Sequence, residues 1–342
     1  MNSPFLKALR REAVDVTPVW LMRQAGRYQP EYRALREKVG FLELCKDPGL
    51  CTEVMVRSVE QLDVDAAIIF SDLLLILEPM GLELEYAEGG GPVFHNPIRS
   101  VADIERIREL EDAETLFYVN ETVRLTKAAL RNRVPVIGFA GAPFTLAAYA
   151  IEGGASRNYA KTKRFMVENE TAWHELLEKI ARAVVVYLNA QIAAGADAVQ
   201  LFDSWAGCLS PDDYRRYAMP YTRAILDNLN AVPTINFATG NPELLPLLSE
   251  AGGDAIGLDW RVRLDAGWER VGTNKAVQGN LDPVRLLGSK RSLRAAVRDI
   301  LNQAAGRDGH IFNLGHGVLP DTPVENARAV VEMVHEESRK MR

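Results

Sequence analysis

Arg23 and Arg27 lie four residues apart in the stretch MRQAGRYQPEYR, residues 22–33, with Gly26 between them and the apolar run PVWLM just before. A planar guanidinium fork grips a carboxylate or phosphate through two parallel hydrogen bonds. A pair of forks directly after a strand therefore suits an anionic ligand. Gly26 would let the backbone approach a bound group closely. The plainer alternative is a basic surface turn pairing with Glu31 or Glu37. Arg33 and Arg36 read as solvated, with Arg36 within reach of an extended polyanion.

Asp72 follows the run IIFS. An aspartate there is either a helix N-cap or a counter-charge for a cation developing on a substrate. Tyr149, in GAPFTLAAYAIEGG, suits packing as well as chemistry. Ser204 follows QLFD, which is not the GxSxG nucleophile elbow. His316 is flanked by glycines in NLGHG, as a ligand-facing group or a turn residue. HExxH, zinc-spaced Cys/His clusters, an EF-hand and a Walker loop are all missing from the sequence. EGGGP at 88–92 does not supply GxGxxG at a strand–helix turn. Lys275 opens a strand, a poor place for a Schiff base. The residues describe a site without metal or cofactor, in which arginines recognise an anion.

These side chains need elements to bring them together. Eight short apolar runs each finish in glycine or a polar residue: 18–22, 66–70, 135–140, 198–202, 233–237, 255–259, 275–280 and 310–314. Most are rich in β-formers and several are continuously apolar, as parallel strands buried on both faces are. Helical patterns separate them. Residues 173–195 place Leu176, Ile180, Val184, Leu188 and Ile192 on one stripe that stops at Gly195. Residues 211–230 start with Ser210 as N-cap and Pro211 at the first helical position. Segments 241–253, 282–306 and 322–340 follow the same grammar.

Eightfold strand–helix alternation predicts an α/β fold, a single (β/α)8 TIM barrel spanning residues 1–342 as one domain. A doubly wound open sheet is the structural runner-up. The loops after strands 2 and 3 are elaborated. The first carries a hairpin around Glu88-Gly89-Gly90-Gly91-Pro92 and a helix near 114–131, and the second an extra helix before 173. Active sites of such barrels sit at the C-terminal strand ends. Arg23, Arg27, Asp72, Ser204, Thr239, Asp259, Trp260, Asn280 and His316 all fall at those ends.

The bulk properties restrict the rest. At 342 residues, the chain can bury about 75% of its extended surface. A net charge of −6 argues against a nucleic-acid or anionic-membrane surface, though not against a local anion site. Cys45, Cys51 and Cys208 form no even framework, which fits a reducing compartment. The N-terminus shows no signal peptide. Residues 134–151 carry no charge, but Pro135, Gly138, Gly141 and Pro143 break them as a membrane span.

Six stretches in order, WLMRQAGRYQPEYR, AAIIFSDLL, GFAGAPFTLAAYAIEGG, QLFDSWAG, QGNLDP and NLGHGVLPDTP, closely resemble the uroporphyrinogen decarboxylase family from about residue 4 onward. The resemblance implies a carboxy-lyase of porphyrin and heme biosynthesis. It would convert uroporphyrinogen III to coproporphyrinogen III with loss of four CO2, needing no cofactor, as a cytoplasmic homodimer. It further implies that Arg23, Gln24, Ala25, Gly26, Arg27 and Arg36 contact substrate carboxylates. Asp72 would accept the pyrrole N–H groups, and Tyr149, Ser204 and His316 would line the site. Arg23 and Tyr149 join Asp72 as the residues expected to take part in the chemistry. Trp205 stands where many relatives carry histidine. Two other functions compete: a corrinoid-linked methyltransferase using zinc, and a tetrapyrrole carrier without activity.

Overall fold

The computed structural model describes residues 3–87 and 90–341. Among them are nine short strands: β1 (Ala67–Ile68), β2 (Leu84–Tyr86), β3 (Pro92–Phe94), β4 (Val136–Gly141), β5 (Ala198–Asp203), β6 (Thr234–Ala238), β7 (Ala255–Gly257), β8 (Ala276–Gln278) and β9 (His310–Ile311). Seven form one all-parallel sheet in the order β1-β4-β5-β6-β7-β8-β9. The strands follow one another in space as they do in the chain. Every position of β4 and of β6 is buried, the expected consequence of helices packing on one face and side chains filling the other.

The expected first strand, residues 18–22, does not form a ladder. It touches both edges of the sheet by single contacts. The Phe312 N–H donates to Pro18 O at 2.8 Å and the Trp20 N–H to Phe312 O at 3.3 Å, beside β9. On the other side the Asp65 N–H donates to Val19 O at 2.8 Å, just ahead of β1. Two features interrupt pairing: Pro18 has no N–H to give, and the Val19 N–H is taken by the Asp65 carboxylate at 2.7 Å.

The helices follow the apolar stripes, with local breaks. Glu170–Ala194 buries Leu176, Ile180, Val184 and Leu188, leaves Ile192 half-buried, and ends at Gly195 in the left-handed region, φ +115°. Residues 211–230 were read as one helix and form two, Pro211–Tyr217 and Met219–Asp227, parted at Ala218. Pro220 explains the break, since its ring clashes with the carbonyl four residues back. Residues 282–306 likewise split at Gly288 into a 3-10 turn, Pro283–Leu287, and the helix Lys290–Ala304. The hairpin is present as β2 and β3, antiparallel; Glu88 and Gly89 of its turn lie outside the described residues. Phe117–Leu130 and Ala160–Glu168 are the two added helices.

The space the sheet encloses is not wholly apolar. The Trp20 indole donates to Gln278 Oε1 at 2.9 Å, and Gln278 Nε2 donates to Gln200 Oε1 at 3.0 Å. All three residues are fully buried. This chain ties β8 to β5 and to the 18–22 segment.

The C-terminal helix, Val324–Arg339, locks the seam. His335 Nε2 lies 2.8 Å from Asp65 Oδ2, the oxygen that also receives the Val19 N–H. Burial alone would lower the His335 pKa, but the hydrogen bond and charge of Asp65 outweigh it, and the net shift is upward. A raised histidine pKa contributes stability below the unfolded value, about 6.5, and loses it as pH climbs through the folded value. His335→Gln is expected to lower the unfolding free energy from urea titration more at about pH 6 than at about pH 8.5, by on the order of 1 kcal/mol. Equal losses at both pH values would contradict the ion pair.

Candidate active site

The strand ends carry the site, and glycines let their loops meet. A Cβ on Gly207, after β5, would fall 2.1 Å from Thr239 O, after β6. One on Gly315, after β9, would fall 2.3 Å from Trp260 N, after β7. One on Gly317 would fall 2.4 Å from Arg23 Cδ and 2.7 Å from its Cγ. The Arg23 side chain thus lies directly along the Gly317 backbone. Thr239 Oγ1 adds a cross-loop bond to Ser204 O at 2.8 Å.

Arg23 itself adopts the left-handed region at φ +61°. That conformation costs a non-glycine residue about 1–3 kcal/mol. Gly26 shows no positive φ, so the unusual backbone sits on the arginine rather than on the neighbouring glycine.

Arg23 is exposed, and its charge reaches both Asp72 and His316. Asp72 is crowded by protein on most sides. Burial is the largest influence and pushes its carboxyl upward; the Leu74 N–H, the Tyr86 hydroxyl and Arg23 pull the other way, and Glu78 adds to the rise. Asp72 Oδ1 accepts the Leu74 N–H at 2.9 Å, so it does cap a turn, but its carboxyl also faces Arg23. Tyr149 is a third member. Burial lifts its pKa to about 12, helped by Asp72 and opposed by Arg23. His316 is pushed down to about 4, first by burial, then by Arg23 and Arg261, and stays neutral near pH 7.

Tyr149 projects from the helix Pro143–Glu152 that follows β4. Its ring stacks on Trp205 at 3.7 Å, with Tyr159 4.8 Å from the same indole. Trp205 is fixed from behind. Its backbone N–H donates to Thr145 Oγ1 at 3.1 Å, and Thr145 donates to Asp203 Oδ1 at 2.7 Å. Asp203 is fully buried, and desolvation lifts its pKa to about 6. On the far side, Arg261 lies over the Trp260 ring at 4.0 Å and pairs with buried Asp259 at 2.6 Å. Trp260 in turn meets His316 edge-on at 6.3 Å.

Other expected residues are placed differently. Gln24 is fully buried; its Oε1 accepts the Leu21 N–H at 3.2 Å and its Nε2 donates to Ala66 O at 3.1 Å. Its side chain holds the arginine loop against the sheet. The Gly26 N–H donates to Gln29 Oε1 at 3.0 Å, while Ala25 is half-buried against the core. Arg27 is exposed, with its charge felt at Tyr32. Arg36 turns back to donate to Val39 O and lies 5.5 Å from the Phe41 ring. Ser204 is half-buried beside Trp205.

Sequence reasoning missed Tyr86 and Thr145. Tyr86 comes from the hairpin, where nothing local marks it. Asp203 was visible at its strand end, but not its bond to Thr145. Among the described residues, no three His, Cys, Asp or Glu side chains converge as a metal site would require. The arrangement offers guanidinium groups for an anion and a desolvated carboxylate for a cation, walled by aromatic rings.

The uroporphyrinogen decarboxylase (URO-D) family model matches residues 1–337. A uroporphyrinogen decarboxylase from Carboxydothermus hydrogenoformans is 54% identical over 98% of this chain and 97% of that protein. One from Roseiflexus sp. is 53% identical over 98% and 99%. Among solved structures, a methyltransferase from Methanosarcina mazei aligns with TM-score 0.81 at 21% identity, covering 97% of each chain. A B12-independent methionine synthase from Shewanella sp. W3-18-1 aligns with TM-score 0.54 at 12% identity, covering 84% of this chain and 89% of that one. Both structural likenesses speak to the fold alone.

Two outcomes follow from this geometry. Gly317→Ala is expected to drive the Arg23 side chain off the loop; a crystal structure with Arg23 unmoved would count against it. In proton NMR, His316 is expected to titrate near pH 4. A midpoint near the free value, about 6.5, would mean that the ring is solvated.

Proposed function

The chain belongs to the uroporphyrinogen decarboxylase family and is a carboxy-lyase of porphyrin biosynthesis; from that premise we propose how its own residues carry out the reaction. The substrate is uroporphyrinogen III, a flexible macrocycle with eight carboxylates. Four acetate side chains lose CO2 and become the methyls of coproporphyrinogen III. The observation that carries the site assignment is the meeting of Arg23, Asp72 and Tyr149 at one mouth.

Direct loss of CO2 from an acetate would leave an unstabilised carbanion. Protonation of the adjacent pyrrole carbon first makes a pyrrolium. The electrons of the breaking carbon–carbon bond then flow into that ring and CO2 departs. A second proton adds to the exocyclic carbon to give the methyl, and the ring releases the first. One proton replaces one CO2, and the pyrrole is its own electron sink, so no cofactor is needed.

In this reading, ionised Asp72 receives the pyrrole N–H groups and stabilises the pyrrolium by charge, in a site where low dielectric strengthens it. Arg23 and Arg27 hold substrate carboxylates, with Arg36 at the periphery. The main chain of Gln24, Ala25 and Gly26 shapes their loop. Tyr149 closes on the reacting ring from the Trp205 side, and Ser204 and neutral His316 contribute hydrogen bonds. Arginine is a weak proton donor, with a pKa above about 12. A substrate carboxylic acid or water better suits delivery of the proton.

The sheet is read here as a closed (β/α)8 barrel of one domain, in which 18–22 takes the eighth place. Support comes from its contacts with both sheet edges, the Val19–Phe312 bridge and the Asp65 N–H bond to Val19 O. A homodimer in the cytoplasm is part of the same reading and rests on the family resemblance. No helix among the described residues is long and apolar enough to cross a membrane.

Incubated anaerobically with uroporphyrinogen and no added cofactor, the protein is expected to yield coproporphyrinogen, detected by chromatography after oxidation. Asp72→Asn should keep part of the substrate binding and lose about 10²–10³ in kcat. Unchanged turnover in that variant would remove Asp72 from the mechanism.

A further inference from the structure

The peptide unit that joins Ser204 to Trp205 lies just past β5 and is gripped at both ends. Its N–H donates to Thr145 Oγ1 at 3.1 Å, and its carbonyl accepts the Thr239 hydroxyl at 2.8 Å. The two threonines come from opposite sides. Thr145 stands in the helix after β4, and Thr239 directly follows β6. Strands β4 and β6 are the two neighbours of β5 in the sheet. The Ala142 N–H also donates to Phe202 O at 2.8 Å, which fastens the start of the Thr145 helix to β5.

A hydroxyl can both donate and accept. The Trp205 N–H can only donate, so Thr145 Oγ1 accepts it, and the Thr145 hydrogen goes to Asp203 Oδ1 at 2.7 Å. Thr145 and Asp203 are fully buried, where a bond left unmade costs the desolvation of the orphaned group. The direction of the hydroxyl is thereby fixed. A threonine in a helix often returns its hydroxyl to a carbonyl one turn back; Thr145 spends it across the loop. Thr145 and Tyr149 stand four apart on one face of the same helix. Both meet residue 205: Thr145 at its backbone, and Tyr149 at its ring, with centroids 3.7 Å apart and planes 27° apart.

We propose that Thr145 is a positioning residue, which fixes the Ser204–Trp205 peptide plane and, through the Trp205 ring, sets where the Tyr149 phenol stands. The inference rests on the place given above to Tyr149 and Ser204 beside the reacting ring. Offset-stacked rings tolerate a range of slides, whereas hydrogen bonds have a direction. Two such bonds on one peptide leave it no free rotation. Turning that plane would swing the indole off Tyr149 and re-aim Ser204 at the same time. Asp203 acts at one remove, by keeping the Thr145 lone pair turned toward the Trp205 N–H.

Thr145→Val keeps the shape of the side chain and deletes the hydroxyl; Thr145→Ser keeps the hydroxyl. In protein carrying nitrogen-15 tryptophan and ring-carbon-13 tyrosine, Thr145→Val is expected to move the Trp205 amide peak and the Tyr149 ring peaks, assigned with Trp205→Phe and Tyr149→Phe. With uroporphyrinogen, kcat should fall about tenfold, the rate equivalent of one hydrogen bond. KM should change less than about twofold. Thr145→Ser should restore both the peaks and kcat. A folded Thr145→Val enzyme with unmoved peaks, or with moved peaks and full kcat, would overturn the proposal. So would a loss carried by KM, or a serine variant as impaired as the valine one. Should Thr145→Val not fold, Thr239→Val releases the same peptide from its half-buried side and must move the same peaks and lower kcat, or the proposal fails. If the wild-type protein forms no coproporphyrinogen yet the peaks still move in Thr145→Val, the reading of the reaction fails and the hold of Thr145 on Trp205 and Tyr149 stands.

Discussion

A half-buried carboxylate, Asp72, sets the terms for the groups around it. Desolvation pushes Asp72 toward its neutral form, and an isolated buried anion is among the costliest features a protein can hold. The structure answers with the Leu74 N–H, two residues on, and with the charge of Arg23 from a distant loop. The first is a local turn contact; the second needs the fold. The fold brings the Arg23 and Asp72 loops side by side. Glycines 315 and 317 then allow the rim loops to touch closely enough for Arg23 to be held in place.

Much of the architecture was legible because burial on both faces leaves a plain trace. The runs at 135–140, 198–202 and 233–237 hold no charged residue and became strands β4, β5 and β6 nearly residue for residue. The run at 18–22 has the same composition, yet a proline and an aspartate side chain consume the hydrogen bonds that a ladder needs. Helix ends were legible where glycine stood, as at Gly195, and missed where a proline sat inside an amphipathic pattern, as at Pro220. Apolar periodicity reports which face is buried; it is silent on whether the backbone bends along the way.

The site was legible in part for a related reason. Arg23, Asp72 and His316 each follow an apolar run, Tyr149 lies in the helix after β4, and the fold brings them within electrostatic reach of one another. Gln24 has the right neighbours in sequence, but its amide is turned into the protein. Thr145 acts through Asp203, far along the chain, and no spacing rule connects them. Trp205 stood out as an unusual residue; its stacking on Tyr149 required coordinates.

The buried amide chain of Trp20, Gln278 and Gln200 has an evolutionary corollary. Trp20 and Gln278 donate to the next member while Gln200 Nε2 has no hydrogen-bond partner among the described residues, so replacing Gln278 strands a polar atom on each neighbour. Drift at these three positions should therefore be concerted, with sequences holding either the whole polar set or an all-hydrocarbon substitute. Lineages caught midway would be rare, and the three columns of an alignment, though some 260 positions apart at their extremes, should vary as one character.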